Sequence, residues 1–496
     1  MEVRANISAG LILALDVGTG SLKGALYSLA DGSLIAEHSV GYGLQRPQPM
    51  WVEQSPADWW SAVQTTCRAL CTDGYVAHIR AVGLTGQVPT MVLVDREGQA
   101  VAPAISWQDR RAEDEALWLR REVGAGQLAS WLGLDMPIDP GWPPARLLWL
   151  ARHRPDWIAQ SHKVLLAKDY IGCQLTGTFC SDAWSAKGLA HLSTGEPPAD
   201  YYERIGFPAA LAPSILPAHQ IIGGVTPAAS ARTGLPIDTP VVNGSSDAVC
   251  GMIGTGAVGR DRMAFNLTGT SEMIGRSGGQ PTTGLLFVPA HITAALPILY
   301  GPTQSGGDSL VWFAEFCREA FESAVMAAES APPGSRGVVF LPYLAGERAP
   351  LWDSHARGAF LGLLREHNFG CGARAVMEGV AMSVRHVLEV AGIERGAQSA
   401  LRVAGGSIRI PLWNQIRADV TGLPVEIVEQ GTSVTLGAAL LAAIGIGRFA
   451  DLSAASSLVR VQTTIEPQHD VQGVYDDAYA VFRRAYPALR ELMPVS

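Results

Sequence analysis

The chain reads as an α/β protein of two large, duplicated lobes around a central cleft, and three observations carry that expectation. Its 496 residues are 48% hydrophobic and only 17% charged, the balance of a protein with a sizeable core and not of a disordered or fibrous one. Short apolar runs of buried-strand type alternate with segments of helical spacing, which places helices against sheets. A strand, a Gly-Thr loop and a second strand open the chain near residue 11, and the same order recurs beyond residue 260. Length alone allows two large lobes or about three domains of ordinary size. The recurrence favours two, at residues 1–255 and 256–455, with a helical tail over 456–496.

Composition removes several classes. Net charge is −9, whereas a phosphate-backbone binder carries a basic excess, so no nucleic-acid partner is expected. The seven cysteines, at 67, 71, 173, 180, 250, 317 and 371, include no C-x-x-C pair and read as free thiols of a reduced cytosol. Met1-Glu2-Val3-Arg4 begins no secretory signal, and the longest apolar stretch, Val434 to Gly447, is too short to span a bilayer. A cytoplasmic protein without a membrane partner is expected. Glycine is the outlier, 54 residues where about 7% of a chain is usual, so the positions of the glycines matter most.

Leu11 to Leu15 is the first strand, and it ends at Asp16-Val17-Gly18-Thr19-Gly20. Ser21 to Leu29, the turn Asp31-Gly32 and Ser33 to Val40 then form a hairpin. A Rossmann unit or a P-loop would instead place a helix straight after its glycines, and the pattern G-x-x-x-x-G-K-[ST] is missing. Ser55 caps a helix over Pro56 to Cys71, with Pro56 at its first position. A strand over Ile79 to Leu84 leads to Thr85-Gly86-Gln87, and a strand over Met91 to Val94 leads to a turn at Asp95 to Gly98. The Pro-rich stretch 137–144 connects to a helix over Arg146 to Arg152. Val241-Val242 is a strand that leads into the loop Asn243 to Asp247, with a helix from Ala248. In the second half, Met263 to Leu267, the loop Thr268 to Ser271 and Glu272 to Gly275 repeat the opening, and Leu401 to Ala404 leads to the turn Gly405-Gly406-Ser407.

Four groups carry candidate chemistry. Glycines let backbone N–H groups approach phosphate oxygens, and a carboxylate among them, Asp16, makes sense with a divalent cation to offset its repulsion. An ordinary strand followed by a glycine turn is the plain alternative. Asp247, at a strand's end, can accept a proton from a substrate hydroxyl or serve only as a helix N-cap. Trp107, Asp109, Arg110 and Arg111 join an aromatic plate to charged hydrogen-bonding groups, as a polyhydroxylated ligand requires, or form a solvated charge run. Gly405-Gly406-Ser407 lets a flat base lie against backbone, or is a simple turn. Gly254-x-Gly256-x-x-Gly259 matches a dinucleotide fingerprint only formally, because a helix and not a strand precedes it.

Taken in order, these segments resemble the FGGY carbohydrate kinases, members of the two-lobed superfamily of actin, hexokinase and the Hsp70-type chaperones. The resemblance runs from Leu11 to about Arg448. It covers D-V-G-T-G-S-L-K from Asp16, E-Q-S-P-A-D-W-W from Glu53, W-Q-D-R-R from Trp107, P-P-A-R-L-L-W-L from Pro143, S-S-D-A from Ser245 and L-T-G-T-S from Leu267. It continues with P-Y-L-A-G-E-R-A-P-L-W-D from Pro342, G-A-F-L-G-L from Gly358, R-A-V-M-E-G-V-A from Arg374, the segment Ala404 to Asp419, and L-G-A-A from Leu436. Arg146 stands where the family usually has Lys, and Cys371-Gly372 replaces a polar–apolar pair. Val88-Pro89-Thr90 stands where xylulokinases usually read Met-His-Gly, whose His is a sugar-site residue in those relatives.

The resemblance implies an actin-like/hexokinase-like (ribonuclease H-like) ATPase fold and ATP-dependent phosphorylation of a sugar, most similar to xylulokinases, with kinases of glycerol, erythritol, gluconate or ribulose as alternatives. It implies ATP and Mg2+ as cofactors, Asp247 as general base, and Asp16 as the acid that helps position the metal and the γ-phosphate. Gly18, Thr19, Ser21 and Lys23 fall in its first phosphate loop, and Gly269, Thr270 and Ser271 in its second. Gly405, Gly406 and Asn414 match the nucleotide side; Gln87, Trp107, Asp109 and Arg111 match the sugar side, with Asp247 between. The first lobe would then carry the sugar, the first phosphate loop and the base, and the second the nucleotide. A homodimer is left open. An actin- or chaperone-like nucleotide switch needs no acceptor-activating carboxylate, and that argues for the enzyme.

Overall fold

The computed structural model describes residues 8–493 apart from 73, 137, 294, 396, 398 and 430–432. The chain packs into two compact units. The first comprises the residues up to Gly254 together with Ser433–Leu458; the second comprises Thr255–Thr432 and the chain from Val459 onward.

The first unit is organised by a six-stranded sheet: β1 (Leu11–Val17), β2 (Ser21–Ser28), β3 (Leu34–Gly41), β4 (Ile79–Gly86), β5 (Ile221–Gly224) and β6 (Pro240–Ser246), in the order β5-β6-β4-β1-β2-β3. β1 is buried at every residue, as its unbroken apolar run requires of a central strand covered on both faces. β1, β2 and β3 form an antiparallel meander, while β4 and β6 add parallel to β1. The helix Pro56–Leu70, capped by Ser55 Oγ on Asp58 N, covers one face with Trp59, Val63 and Cys67. A second core forms around the four short strands Glu53–Gln54, Met91–Val94, Ala104–Ile105 and Lys163–Leu166 and the helices beside them. There the helix Pro143–His153 begins three residues earlier than its polar pattern predicts, because Pro143 and Pro144 occupy its first turn, where no N–H is needed.

The apolar stretch near 440 is a helix, Ser433–Gly445, buried along nearly its whole length. It crosses Asp247–Gly254 at backbone contact: a Cβ on Gly437 would stand 1.8 Å from Cys250 O, and one on Gly254 1.8 Å from Ser433 O. Gly254 is thus a helix-packing residue. The helix contacts β1 and β4 as well, so 433–458 packs with the first unit although it follows the second in sequence.

The second unit holds a seven-stranded sheet: β7 (Ala264–Thr268), β8 (Glu272–Ser277), β9 (Leu286–Val288), β10 (Ile298–Pro302), β11 (Leu401–Gly405), β12 (Val425–Val428) and β13 (Val461–Ile465), in the order β9-β10-β8-β7-β11-β12-β13. β7 and β8 pair antiparallel, and β11 and β12 add parallel to β7. This repeats the pairing of β1, β2, β4 and β6, so the duplication suggested by the two Gly-Thr loops is one of topology. Residues 456–496 differ from a purely helical tail. Val461-Gln462-Thr463-Thr464-Ile465 is rich in β-branched residues and forms the exposed edge strand β13 before the helix Gln472–Leu489 docks Tyr475, Tyr479 and Phe482. Among the described residues no helix is long and apolar enough to cross a membrane.

Candidate active site

Three parallel strands of the first unit bring its candidate groups to one level. Asp16 of β1 pairs with Thr85 of β4, and Thr85 pairs on its other side with Ser245 of β6, two residues before Asp247. These are the carboxyl ends of the strands, the usual place for ligands on an open α/β sheet. Asp16 is only 6% exposed, and its buried Oδ1 has no hydrogen-bond partner among the described residues. Burial first, and then the charge of Asp247, push its pKa from 3.8 up to about 7, against the pull of Lys23. Lys23 lies directly across the β1–β2 ladder from Asp16, with its side chain exposed.

The loop between β1 and β2 is a tight turn closed by Gly18 N donating to Ser21 O at 3.0 Å, and Tyr42 Oη donates to Gly18 O at 2.6 Å. A side-chain network ties this loop to the sugar-side positions. Gln87 is buried and donates to Gln54 Oε1 at 2.6 Å and Gly18 O at 3.2 Å, while Thr90 Oγ1 donates to Gln87 Oε1. Thr90 Oγ1 in turn accepts from Trp107 N, and Trp107 Nε1 donates to Thr19 Oγ1 at 2.9 Å. The Trp107 ring is 44% exposed and stands beside the glycine loop as a plate.

Asp109 and Arg111, near neighbours of Trp107 in sequence, are buried. Arg111 is sandwiched with its Cζ 3.7 Å from the Trp51 ring centre, and it pairs with Asp109 at 2.8 Å and Glu53 at 2.7 Å. Asp109 spends both oxygens on Arg111 and on Val52 N. Arg146, fully buried, donates to Pro89 O and Ser106 O, both at 2.6 Å, and so buttresses the 88–90 segment.

Asp247 owes its place to the end of β6. The ladder slips between Val242 and Ser245, and Gly244 there has φ +70° with a phantom Cβ only 1.6 Å from Leu84 O. Only glycine fits this bulge. The strand therefore runs on through Ser246, where the sequence suggested a loop from Asn243. Ser246 Oγ takes the capping bond from Val249 N at 3.3 Å, and among the described residues Asp247 Oδ1 accepts from its neighbour Ala248 N at 2.7 Å. Burial raises the Asp247 pKa to about 6; the Ala248 N–H and the charge of Lys187 act the other way.

Lys187 is a group that sequence reasoning missed, since nothing in Ser185-Ala186-Lys187-Gly188 marks it. It is buried, donates to Trp184 O at 3.3 Å, and has its pKa lowered to about 8 by burial against the attraction of Asp182 and Asp247. Its turn is built on Asp182, whose Oδ2 also accepts from Ser245 Oγ at 2.8 Å.

In the second unit, Thr268 pairs with Gly405, so the loop Gly269-Thr270-Ser271 and the turn Gly405-Gly406-Ser407 lie at neighbouring strand ends. Gly269 and Thr270 are exposed, and a Cβ on Gly406 would meet nothing within 4 Å. Asn414 is buried, donates to Ile408 O at 2.7 Å and accepts from Arg417. Among the described residues no three His, Cys, Asp or Glu side chains converge on a metal site. Asp16, with an unpartnered buried oxygen, fits a cation held by one carboxylate together with phosphates and water, as Mg2+ usually is.

Two α/β units that share the pairing around their first strands, each opening on a Gly-Thr hairpin, with carboxylates at the first and third parallel strand ends of one of them, define a two-domain ATPase of the actin and hexokinase type. The FGGY N-terminal domain matches residues 11–254 and the FGGY C-terminal domain residues 264–446. The chain belongs to the FGGY family of carbohydrate kinases and is an ATP:carbohydrate phosphotransferase. It is 28% identical to the xylulose kinase of Bacillus subtilis over 97% of each chain, and 27% identical to the gluconokinase of the same organism over 95% of this chain and 94% of that one. The crystal structure of xylulose kinase from Rhodospirillum rubrum matches with a TM-score of 0.86 at 30% identity, covering 97% of this chain and 99% of that one. The gluconate kinase structure from Lactobacillus acidophilus matches with the same TM-score at 27% identity, covering 97% and 98%.

Proposed function

We propose that the protein transfers the γ-phosphoryl group of ATP to a hydroxyl of a ketopentose such as xylulose, with Asp247 as general base. The observation that carries this reading is the Asp247 carboxylate itself: half-buried at the end of β6, relieved of capping duty by Ser246, and bound by one neighbouring N–H. Such a group can take the proton from the attacking hydroxyl as its O–P bond forms and the bond from the γ-phosphorus to the β–γ bridging oxygen breaks, with ADP as the leaving group. Asp16 holds Mg2+, which supplies charge neutralisation on the phosphate oxygens when bound. Within the first unit Gly18, Thr19, Ser21 and Lys23 offer N–H, hydroxyl and ammonium donors suited to phosphate oxygens; within the second, Gly269, Thr270 and Ser271 offer N–H and hydroxyl donors of the same kind. Gly406 leaves open space for the nucleotide beside Gly405, and Asn414 braces that turn. Trp107 offers a face to the sugar, held by Thr19 and by Thr90, which Gln87 holds in turn; the Asp109–Arg111 ion pair stands next to it in the chain.

The choice of xylulose is supported by the kinases of that sugar among the relatives. A sugar acid is the second reading, because the gluconate kinase structure matches the fold with the same TM-score. A coupled ADP-release screen over pentuloses, polyols and sugar acids decides between them. Xylulose is expected to give the highest kcat/KM, and a higher value for gluconate would replace the first reading by the second.

A further inference from the structure

Under the nucleotide-side turn of the second unit lies a buried ionic network that the reaction described above does not use. Arg417, on the helix Pro411–Thr421, is wholly buried. Its Nη2 donates to Ser407 Oγ at 2.7 Å and stands 3.3 Å from Glu272 Oε1, and its Nη1 reaches Asn414 Oδ1 at 3.3 Å. Glu272, also buried, accepts from Asn266 Nδ2 at 2.5 Å with its other oxygen. Ser407 N completes the set by donating to Thr268 Oγ1 at 3.1 Å.

A buried ion pair is an expensive way to fill a core, since apolar side chains of the same volume commonly give equal or greater stability. What this one provides is geometry. Glu272 is the first residue after the loop Gly269-Thr270-Ser271, and Ser407 the first after Gly405-Gly406. One planar guanidinium thus grips the exits of both segments, and a fork of fixed shape sets their separation more narrowly than a lysine could.

We infer that Arg417 is a positioning residue that locks the Gly269–Ser271 loop and the Gly405–Ser407 turn at one spacing, so that the second unit presents a preformed nucleotide seat. The inference rests on the nucleotide-side assignment proposed above. A seat fixed before binding loses less freedom when ATP arrives, so the effect falls on ATP affinity and leaves the sugar untouched.

The test uses the full-length enzyme and three measurements: KM for ATP, KM for the sugar, and the melting temperature. Ser407→Ala cuts the tether without unpairing Glu272, Ser407→Thr restores the hydroxyl, and Arg417→Lys keeps the charge but loses the fork. Ser407→Ala and Arg417→Lys are expected to raise KM for ATP about five- to tenfold, with the sugar KM within about twofold and the Ser407→Ala melting temperature lowered by only about 1–3 °C; Ser407→Thr is expected to return KM for ATP toward the parent value. An unchanged KM for ATP in Ser407→Ala, or an equal rise in both KM values, overturns the inference. Gly406→Val separates this from failure of the assignment beneath it. A raised KM for ATP there supports the seat, whereas no change removes the nucleotide from that turn and the inference with it.

Discussion

Replacing Asp247 by Asn removes the proton acceptor while keeping the oxygen that accepts from Ala248 N, and it bears on stability as well as turnover. In the folded protein the Asp247 pKa is raised from 3.8 to about 6, chiefly by burial. A carboxyl whose folded pKa is raised costs the folded state nothing below about pH 4, where it is neutral folded and unfolded; the cost grows as pH rises toward about 6 and is complete above. At about 1.36 kcal/mol per pH unit the full cost is about 3 kcal/mol. Asp247 is half-buried, and water on its open side screens the charge, so we take about 1–2 kcal/mol. Asp247→Asn is therefore expected to stabilise the ligand-free protein by about 1–2 kcal/mol at pH 8, an advantage that shrinks toward pH 4. Its kcat is expected to fall about a hundredfold to ten-thousandfold, the usual contribution of a general base, with KM for ATP little changed. Urea denaturation at several pH values and steady-state kinetics read both effects. Near-normal turnover would refute the base assignment. A variant less stable than the parent at pH 8 would refute the burial argument.

The same carboxyl contributes to a pH limb: kcat/KM for the sugar is expected to fall below about 7 as Asp16 takes up its proton and more steeply below about 6 as Asp247 does, and a stopped assay on Asp247→Asn should show the limb made shallower. Asp16→Ala removes the buried, unpartnered carboxylate, so the Mg2+ concentration for half-maximal rate is expected to rise severalfold; an unchanged metal titration would count against Asp16 as a metal holder. Gly244→Ala forces a Cβ to within 1.6 Å of Leu84 O at φ +70°, and a loss of at least about 3 kcal/mol is expected in denaturant melts, with an unshifted midpoint as the refuting result.

Much of the fold is legible in the sequence because its signals are local. The unbroken apolar run of β1 says central strand, Ser55-Pro56 says helix start, and Asp31-Gly32 after a glycine loop says hairpin rather than phosphate-binding helix. Asp16 and Asp247 stand out because carboxylates at strand ends beside small residues are chemically conspicuous. Helix 433–445 shows where local reading stops. Its apolar character is plain, yet its place in the first unit depends on Gly437 and Gly254 meeting backbone nearly two hundred residues apart in sequence.

The two-unit α/β plan, the glycine loops and the pair of carboxylates can be read along the chain, since strand periodicity and turn chemistry are properties of neighbouring residues. Which polar groups stay open is settled by packing between distant segments. Asp109 and Arg111 read as open hydrogen-bonding groups but lie buried against each other and Trp51; Trp107, beside them in the chain, keeps its face in solvent. Lys187 and Arg417 carry no mark in their own segments, and their burial and partners come only from what packs on them. The physical reason is that a side chain's charge, donors and acceptors are fixed by its identity, whereas burial and partnering depend on contacts that only the folded chain creates.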